Sequence, residues 1–254
     1  MATTISIANQ KGGVGKTTTS LCLANTLGFK GYKTLLIDCD GQGNSTYASG
    51  IDEVQHNIID VFNGDCKIED TIVKTKYIDI IGADSSLKNI DVYSYDDVKK
   101  DLLKKAIQPI QKNYDFIILD TPPSFDNLLF NAMTASDYIL IPTEPSAFAM
   151  TGLLELAETI RNIQNSFNPN LKILGILLIK YAKRLKLNQS VKEMLEEYVS
   201  ENNGRLFETT IRDTVSVKES QLMRMPLIDY KKDSFSNIDY KGLTTEILRI
   251  LGVI

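Results

Sequence analysis

The chain has 254 residues, 43% hydrophobic and 24% charged, a length that buries roughly 70 to 75% of the unfolded surface without help from disulfides. Three cysteines (Cys22, Cys39, Cys66) are too few and too irregularly spaced for a disulfide framework or a zinc ribbon, and the single histidine, His56, excludes His-based triads and multi-His metal centres. The net charge of −4 argues against strong attraction of the whole molecule to DNA or anionic lipid.

Short apolar runs alternate along the chain with longer amphipathic ones, the rhythm of a mostly parallel, doubly wound α/β sheet flanked by helices. The predicted strands are Thr4 to Ala8, Thr34 to Ile37, Ile78 to Gly82, Phe116 to Leu119, Tyr138 to Ile141 and Ile173 to Ile179. Between and after them, helical patterns cover Thr17 to Phe29, Asp96 to Gln111, Leu128 to Ala135, Leu153 to Asn165 and Ser190 to Ser200. Asp38, Asp120 and Pro142 follow the second, fourth and fifth strands, so polar chemistry collects at carboxyl ends of strands, where open α/β sheets bind ligands. No repeat or linker divides the chain, and a single domain over 1–254 is expected, with no helix-turn-helix unit before it. Met1 to Thr4 lacks the basic region of a signal peptide, and Ile173 to Ile179 is far short of the ~20 apolar residues of a spanning helix, so a cytoplasmic protein is expected.

The most specific segment follows the first strand: Asn9-Gln10-Lys11-Gly12-Gly13-Val14-Gly15-Lys16-Thr17-Thr18-Thr19, opening into a helix. Strand, Gly-rich turn and helix make a phosphate loop, in which backbone N–H groups curl inward, Lys16 reaches the β and γ phosphates and Thr17 offers its hydroxyl to Mg²⁺. Lys11 through Thr18 (Lys11, Gly12, Gly13, Val14, Gly15, Lys16, Thr17, Thr18) is the expected ATP-binding stretch. The standard GxxxxGK[ST] spacing puts a glycine at position 10, where this chain has Gln10, and adds a second lysine, Lys11. The arrangement KGGxGKT[TS] resembles the deviant Walker A motif of the ParA/MinD family of ATPases, and the resemblance implies that Lys11 reaches across a dimer interface to the partner's nucleotide.

Two more segments extend the likeness. Asp38-Cys39-Asp40-Gly41-Gln42-Gly43-Asn44 resembles the family's DxDPQxN switch, which implies that Asp40 orients the attacking water beside Mg²⁺; Gly41 stands where members usually carry proline, implying a looser loop. Phe116 to Asp120 resembles a Walker B strand, with Asp120 holding Mg²⁺ through its water shell. Lys11, Lys16 and Asp40 are thus the implied catalytic residues, and Thr17, Asp40 and Asp120 the implied metal site.

Charge is uneven. Residues 1–171 hold 14 Lys and Arg against 21 Asp and Glu, a balance of −7, whereas residues 172–254 hold 14 against 11, a balance of +3. Lys180, Lys183, Arg184 and Lys186 cluster after the last strand, placed to lie along phosphates; the resemblance matches Arg184 to an arginine used for non-specific DNA binding. Arg212, Lys218 and Arg224 are candidates to widen the patch, while the family's second DNA-contacting arginine aligns with Ser216. The implied protein is a short ParA-like partitioning ATPase: an ATP-dependent homodimer that binds DNA non-specifically and is stimulated by a ParB-like partner. The alternatives are a MinD-like membrane-cycling ATPase, which needs a C-terminal amphipathic helix with a basic face where Thr244 to Ile254 carries only one Arg and one Glu and reads as a core-docking helix, and a metabolic ligase on the same fold. An iron-protein-like reductase lacks its cysteines at the required places.

Overall fold

A computed structural model describes residues 1–87, 100–124 and 127–254. Seven strands form one sheet: β1 (Thr3–Ile7), β2 (Thr34–Asp38), β3 (Ile72–Lys74), β4 (Asp79–Ile81), β5 (Phe116–Asp120), β6 (Tyr138–Thr143) and β7 (Lys172–Leu178). Their order is β3-β4-β2-β5-β1-β6-β7, with every pairing parallel except β3 with β4. The register sets Ile7 and Asp38 both opposite Asp120, so the ends of three central strands lie side by side.

Both faces of the central strands are covered, which leaves β2 and β5 apolar on both and buries even the polar Thr4 and Ser6 of β1. On one face Ile5, Leu36, Ile118 and Leu140 share a core with α1 (Lys16–Phe29) and α10 (Phe235–Ile250). On the other, Leu35, Ile37, Ile117 and Leu119 pack with α3 (Ile58–Asn63), α4 (Leu102–Ile107) and α5 (Asn127–Ala135). That face continues over Ile139, Ile141 and Leu178 beneath α6 (Ala149–Ser166) and α7 (Lys186–Glu201). Three short helices complete the described elements: α2 (Asn44–Ala48), α8 (Val215–Leu222) and α9 (Leu227–Tyr230).

The doubly wound parallel sheet matches the sequence expectation, while α6 and α7 start earlier than expected, at Ala149 and Lys186, the short helices α2, α3, α8 and α9 were not foreseen, and other elements differ as follows. The helix expected over Asp96 to Gln111 is only α4 within the described residues; Asp96 and Val98 lie outside them. Pro109 contributes to its early end, since proline has no N–H to continue the helical ladder, even though Gln108 before it keeps helical backbone (φ −52°, ψ −44°). β3 was not expected. The last helix runs from Phe235 rather than Thr244 and stops at Ile250, so Leu243, Ile247 and Leu248 enter the core while Val253 and Ile254 remain exposed. Among the described residues no helix is long and apolar enough to cross a membrane.

β7, at one edge, is not left open. Ile176 and Ile179 form parallel bridges to Leu206 and Ile211, through hydrogen bonds such as Ile176 N–H to Arg205 C=O (2.8 Å) and Ile211 N–H to Leu178 C=O (2.8 Å).

Candidate nucleotide-binding site

The loop between β1 and α1 is pinned at its start. Asn9 donates from Nδ2 to the Pro142 carbonyl of β6 (2.7 Å) and accepts at Oδ1 from the Lys11 N–H (2.9 Å). Gly13 and Gly15 adopt left-handed φ of 75° and 72°, which L side chains rarely reach, and a Cβ on Gly15 would stand 2.9 Å from Ile179 Cδ1. Gly15 is the N-cap of α1 and no side chain caps that helix, so its first-turn N–H groups, at the positive end of the helix, suit an anion. A Cβ on Gly12 or Gly13 would meet nothing within 4 Å, and a cleft of about 590 Å³ runs past Gly12, Gly13, Lys16, Thr17 and Asp40.

Lys16 is buried, and its ammonium donates to the Lys11 carbonyl (3.3 Å), closing the loop on itself. Burial lowers its pKa, while the carboxylates of Asp120 and Asp40 pull it back up. A cation held partly desolvated between acids is well placed to receive a polyphosphate.

The three acids have separate duties. Asp38 is fully buried, and its Oδ2 accepts from both the N–H (2.9 Å) and the hydroxyl (2.8 Å) of Thr46, which ties α2 to β2. Its Oδ1 accepts from the Asp40 N–H (3.1 Å). Asp40 is only partly buried and lines the cleft, its Oδ1 held by the Gln42 N–H (2.9 Å). In this segment the left-handed glycine is Gly43 (φ 63°), where an added Cβ would sit 2.8 Å from the Ala83 carbonyl. Asp120 is buried and accepts from Ser20 Oγ (3.0 Å) and Ser45 Oγ (2.6 Å), with Thr17 also hydrogen-bonded to it. Burial pushes both Asp38 and Asp120 above the ordinary carboxylate range; the nearby Asp120 adds to the rise at Asp38, and hydrogen bonds moderate it at each.

Among the described residues no group of three or more His, Cys, Asp or Glu is gathered to hold a metal alone. The oxygen set of Thr17, Asp120 and Asp40 nonetheless fits Mg²⁺, a hard cation that keeps several waters and takes one or two carboxylates plus phosphate oxygens. Ser20, Ser45 and Thr46, which orient these acids, escaped the sequence reading; Ser20 stands one turn after Lys16, the only local signal it gave.

The lysines separate. The Lys11 backbone faces Lys16, but its ammonium lies 3.3 Å from Ser146 Oγ on the loop after β6. Lys183 and Arg184 occupy an exposed turn before α7, and Lys186 is the first residue of that helix. Lys180 stands apart from them: its ammonium donates to the Gly13 carbonyl (3.0 Å) and to Glu144 Oε2 (3.2 Å). Arg212 is engaged by both oxygens of Asp239 (3.0 and 2.6 Å), and Arg224 by Asp52 (2.5 Å) and the Tyr47 carbonyl (3.1 Å), whereas Lys218 is exposed. Ser216 is buried and hydrogen-bonded to Thr214 Oγ1 (2.8 Å), so the position aligned with a DNA-contacting arginine does not face solvent.

Residues 2–173 match a family model described as an AAA domain. Over 252 residues the chain is 35% identical to the sporulation initiation inhibitor protein Soj of Bacillus subtilis, covering 97% of this chain and 98% of Soj. It is 33% identical over 251 residues to the chromosome partitioning protein ParA of Caulobacter vibrioides, covering 96% and 93%.

The chain belongs to the ParA/MinD family of ATPases.

Among solved structures, this ParA/MinD-family chain is similar to cobyrinic acid a,c-diamide synthase of Mycobacterium smegmatis with bound ADP and magnesium: TM-score 0.86, 26% identity, with 99% of this chain and 96% of that one covered. In a chain related along nearly its whole length to partitioning proteins, the phosphate loop and the switch acid line one cleft, and the acid ending β5 is buried outside that lining but hydrogen-bonded to Thr17, which belongs to it.

Proposed function

We propose that residues 1–254 form one ATP-dependent DNA-partitioning unit, which dimerises on ATP, binds duplex DNA non-specifically and releases it after hydrolysis stimulated by a ParB-like partner. One observation carries this reading: Lys16 closes the phosphate loop through the Lys11 carbonyl, while the Lys11 ammonium sits outside on Ser146, available to a second copy. Mg²⁺ held by Thr17 and Asp120 would supply charge neutralisation to the phosphates. Asp40, partly exposed to the cleft and steadied by Gln42, is the group to hold the attacking water in line; Lys16 and the α1 N-terminus bind and orient the phosphates. Lys183, Arg184 and Lys186 form the DNA-facing cations, weak in one copy and additive when two are held together. The protein would work in the cytoplasm, on the nucleoid.

The relatives at 33 to 35% identity are a partitioning protein and Soj, and they favour this reading over a ligase suggested by the structural neighbour at 26%. Gel shift on non-specific duplex, run against flotation with anionic liposomes, each with ATP and with ADP, tests it. Duplex retention with ATP that collapses as salt rises is expected; liposome binding without duplex binding would favour the membrane-cycling alternative.

A further inference from the structure

Lys180 does not sit where a DNA-facing cation would. It follows β7 with a left-handed backbone (φ 50°), costly for a residue with a Cβ, and is held there from both sides: Ile179 N–H donates to the Thr143 carbonyl (3.0 Å) and Tyr181 N–H to the Ile211 carbonyl (2.9 Å). That conformation carries the Lys180 ammonium to the Gly13 carbonyl (3.0 Å) on the phosphate loop and to Glu144 (3.2 Å) just beyond β6.

We infer that Lys180 is a positioning residue for nucleotide binding, fixing the Gly13–Val14 peptide in the orientation the phosphates require. The inference rests on the nucleotide reading of the cleft and extends it to a residue outside its lining.

In a trans peptide the C=O and the following N–H point in opposite directions. Lys180 is not among the residues lining the cleft, whereas Gly12, Gly13, Gly15 and Lys16 are. A Gly13 carbonyl drawn out toward Lys180 therefore turns the Val14 N–H back toward the cleft, where it can donate to a phosphate oxygen. Some restraint is needed at this place. An added Cβ at Gly12 or Gly13 would touch nothing within 4 Å and glycine backbone tolerates either orientation, so on the glycine side of the Gly13–Val14 peptide no side chain fixes the carbonyl, while Val14 on the other side is anchored in the core. A flip would present a carbonyl, not an N–H, to an anion. Glu144 supplies the counter-charge that keeps the ammonium on the loop rather than in solvent. Lys180 thus joins the crest of the phosphate loop to the ends of β6 and β7, at a point distinct from the Asn9 pin at the loop's start.

The test uses the full chain and two variants, Lys180→Met, which keeps the aliphatic stem without the ammonium, and Lys180→Arg, which keeps a cationic donor. Calorimetry measures ADP affinity with Mg²⁺, steady-state kinetics gives KM and kcat for ATP, and thermal melting without nucleotide reports the fold. Lys180→Met is expected to weaken ADP about five- to tenfold, the scale of one charge-assisted hydrogen bond at a partly exposed site, and to raise KM by a similar factor. kcat should stay within about twofold and the nucleotide-free melting temperature should hold, with Lys180→Arg regaining most of the affinity. Unchanged ADP affinity in Lys180→Met overturns the inference. So does a fall in kcat at constant KM, or loss of DNA retention at saturating nucleotide with ADP affinity intact, which would return Lys180 to the DNA surface. Failure of the unsubstituted chain to bind ADP would instead overturn the nucleotide reading itself, and the inference with it.

Discussion

Ser45 Oγ donates a 2.6 Å hydrogen bond to Asp120 Oδ2, joining the first turn of α2 to the acid that ends β5. The switch loop Asp40 to Gly43 leads straight into α2, so the segment carrying the carboxylate proposed to orient water and the candidate metal acid share one buried contact. Thr46, the next residue, makes a second joint: it bonds Asp38 through both its N–H and its hydroxyl, and accepts at Oγ1 from the Ala83 N–H (2.8 Å). A change at Asp120 on ligand binding would therefore be felt at Asp40 through the helix between them.

Ser45→Ala removes that donor and leaves Asp120 Oδ2 short of a partner in a buried site. A loss of about 1–3 kcal/mol is expected in chemical denaturation of the nucleotide-free protein. Full stability in this variant would show that the Ser45 contact is dispensable.

Lys16→Ala and Lys11→Ala should separate binding from assembly. The first takes away the buried ammonium of the loop and is expected to abolish nucleotide binding in calorimetry while the chain stays folded. The second leaves the Lys11 carbonyl to serve Lys16, so ADP and ATP still bind; sedimentation with ATP should then show monomers only. An ATP-dependent dimer of Lys11→Ala would remove the cross-subunit role.

Asp40→Ala should bind ATP and dimerise but turn over at least a hundredfold more slowly, since it deletes the group proposed to position the attacking water while sparing the Asp38 and Asp120 bonds that hold the site. Phosphate release at the unsubstituted rate would place hydrolysis elsewhere.

Arg184→Ala and Arg212→Ala form a contrast. Arg184 is exposed before α7, whereas the guanidinium of Arg212 is spent on Asp239 and stacked 4.2 Å from the Phe235 ring. Titrations of duplex DNA over a salt series should show weaker binding and a shallower salt slope for Arg184→Ala. Arg212→Ala should keep the slope and lose stability. Identical slopes for Arg184→Ala and the unsubstituted chain would count against this turn as a phosphate-contacting surface.

β2 and β5 were legible because both of their faces are buried, which writes an uninterrupted apolar run into the sequence, and because Asp38 and Asp120 punctuate the ends; β1, with buried Thr4 and Ser6, alternates instead. β3 was not, since three residues of an edge strand, with Val73 and Lys74 exposed, leave no alternation to detect. The start of α7 at Lys186 was hidden by Leu185 and Leu187, exposed apolar residues that blur the helical stripe. Ser234 at the start of α10 did carry a signal: its side chain accepts from the Asn237 N–H, an N-cap recognisable as serine ahead of a helical run. At the site, glycine spacing displays the loop, because left-handed backbone demands that residue type. The partner of the Gly13 carbonyl lies far away in the chain, so Lys180 read only as one cation among four.

The bridges from Leu206 and Ile211 to β7 bear on how copies of this chain can meet. A parallel sheet ending in a bare strand is a template on which any extended polypeptide can lengthen the ladder. Here the segments before and after Leu206 consume outward N–H and C=O groups of β7, and the opposite border is the three-residue β3. Growth by strand addition is discouraged on both flanks. The proposed ATP-dependent self-association would then use side-chain surfaces such as the rim of the cleft, a geometry that can be made and unmade with each round of ATP, as a ladder of backbone bonds cannot.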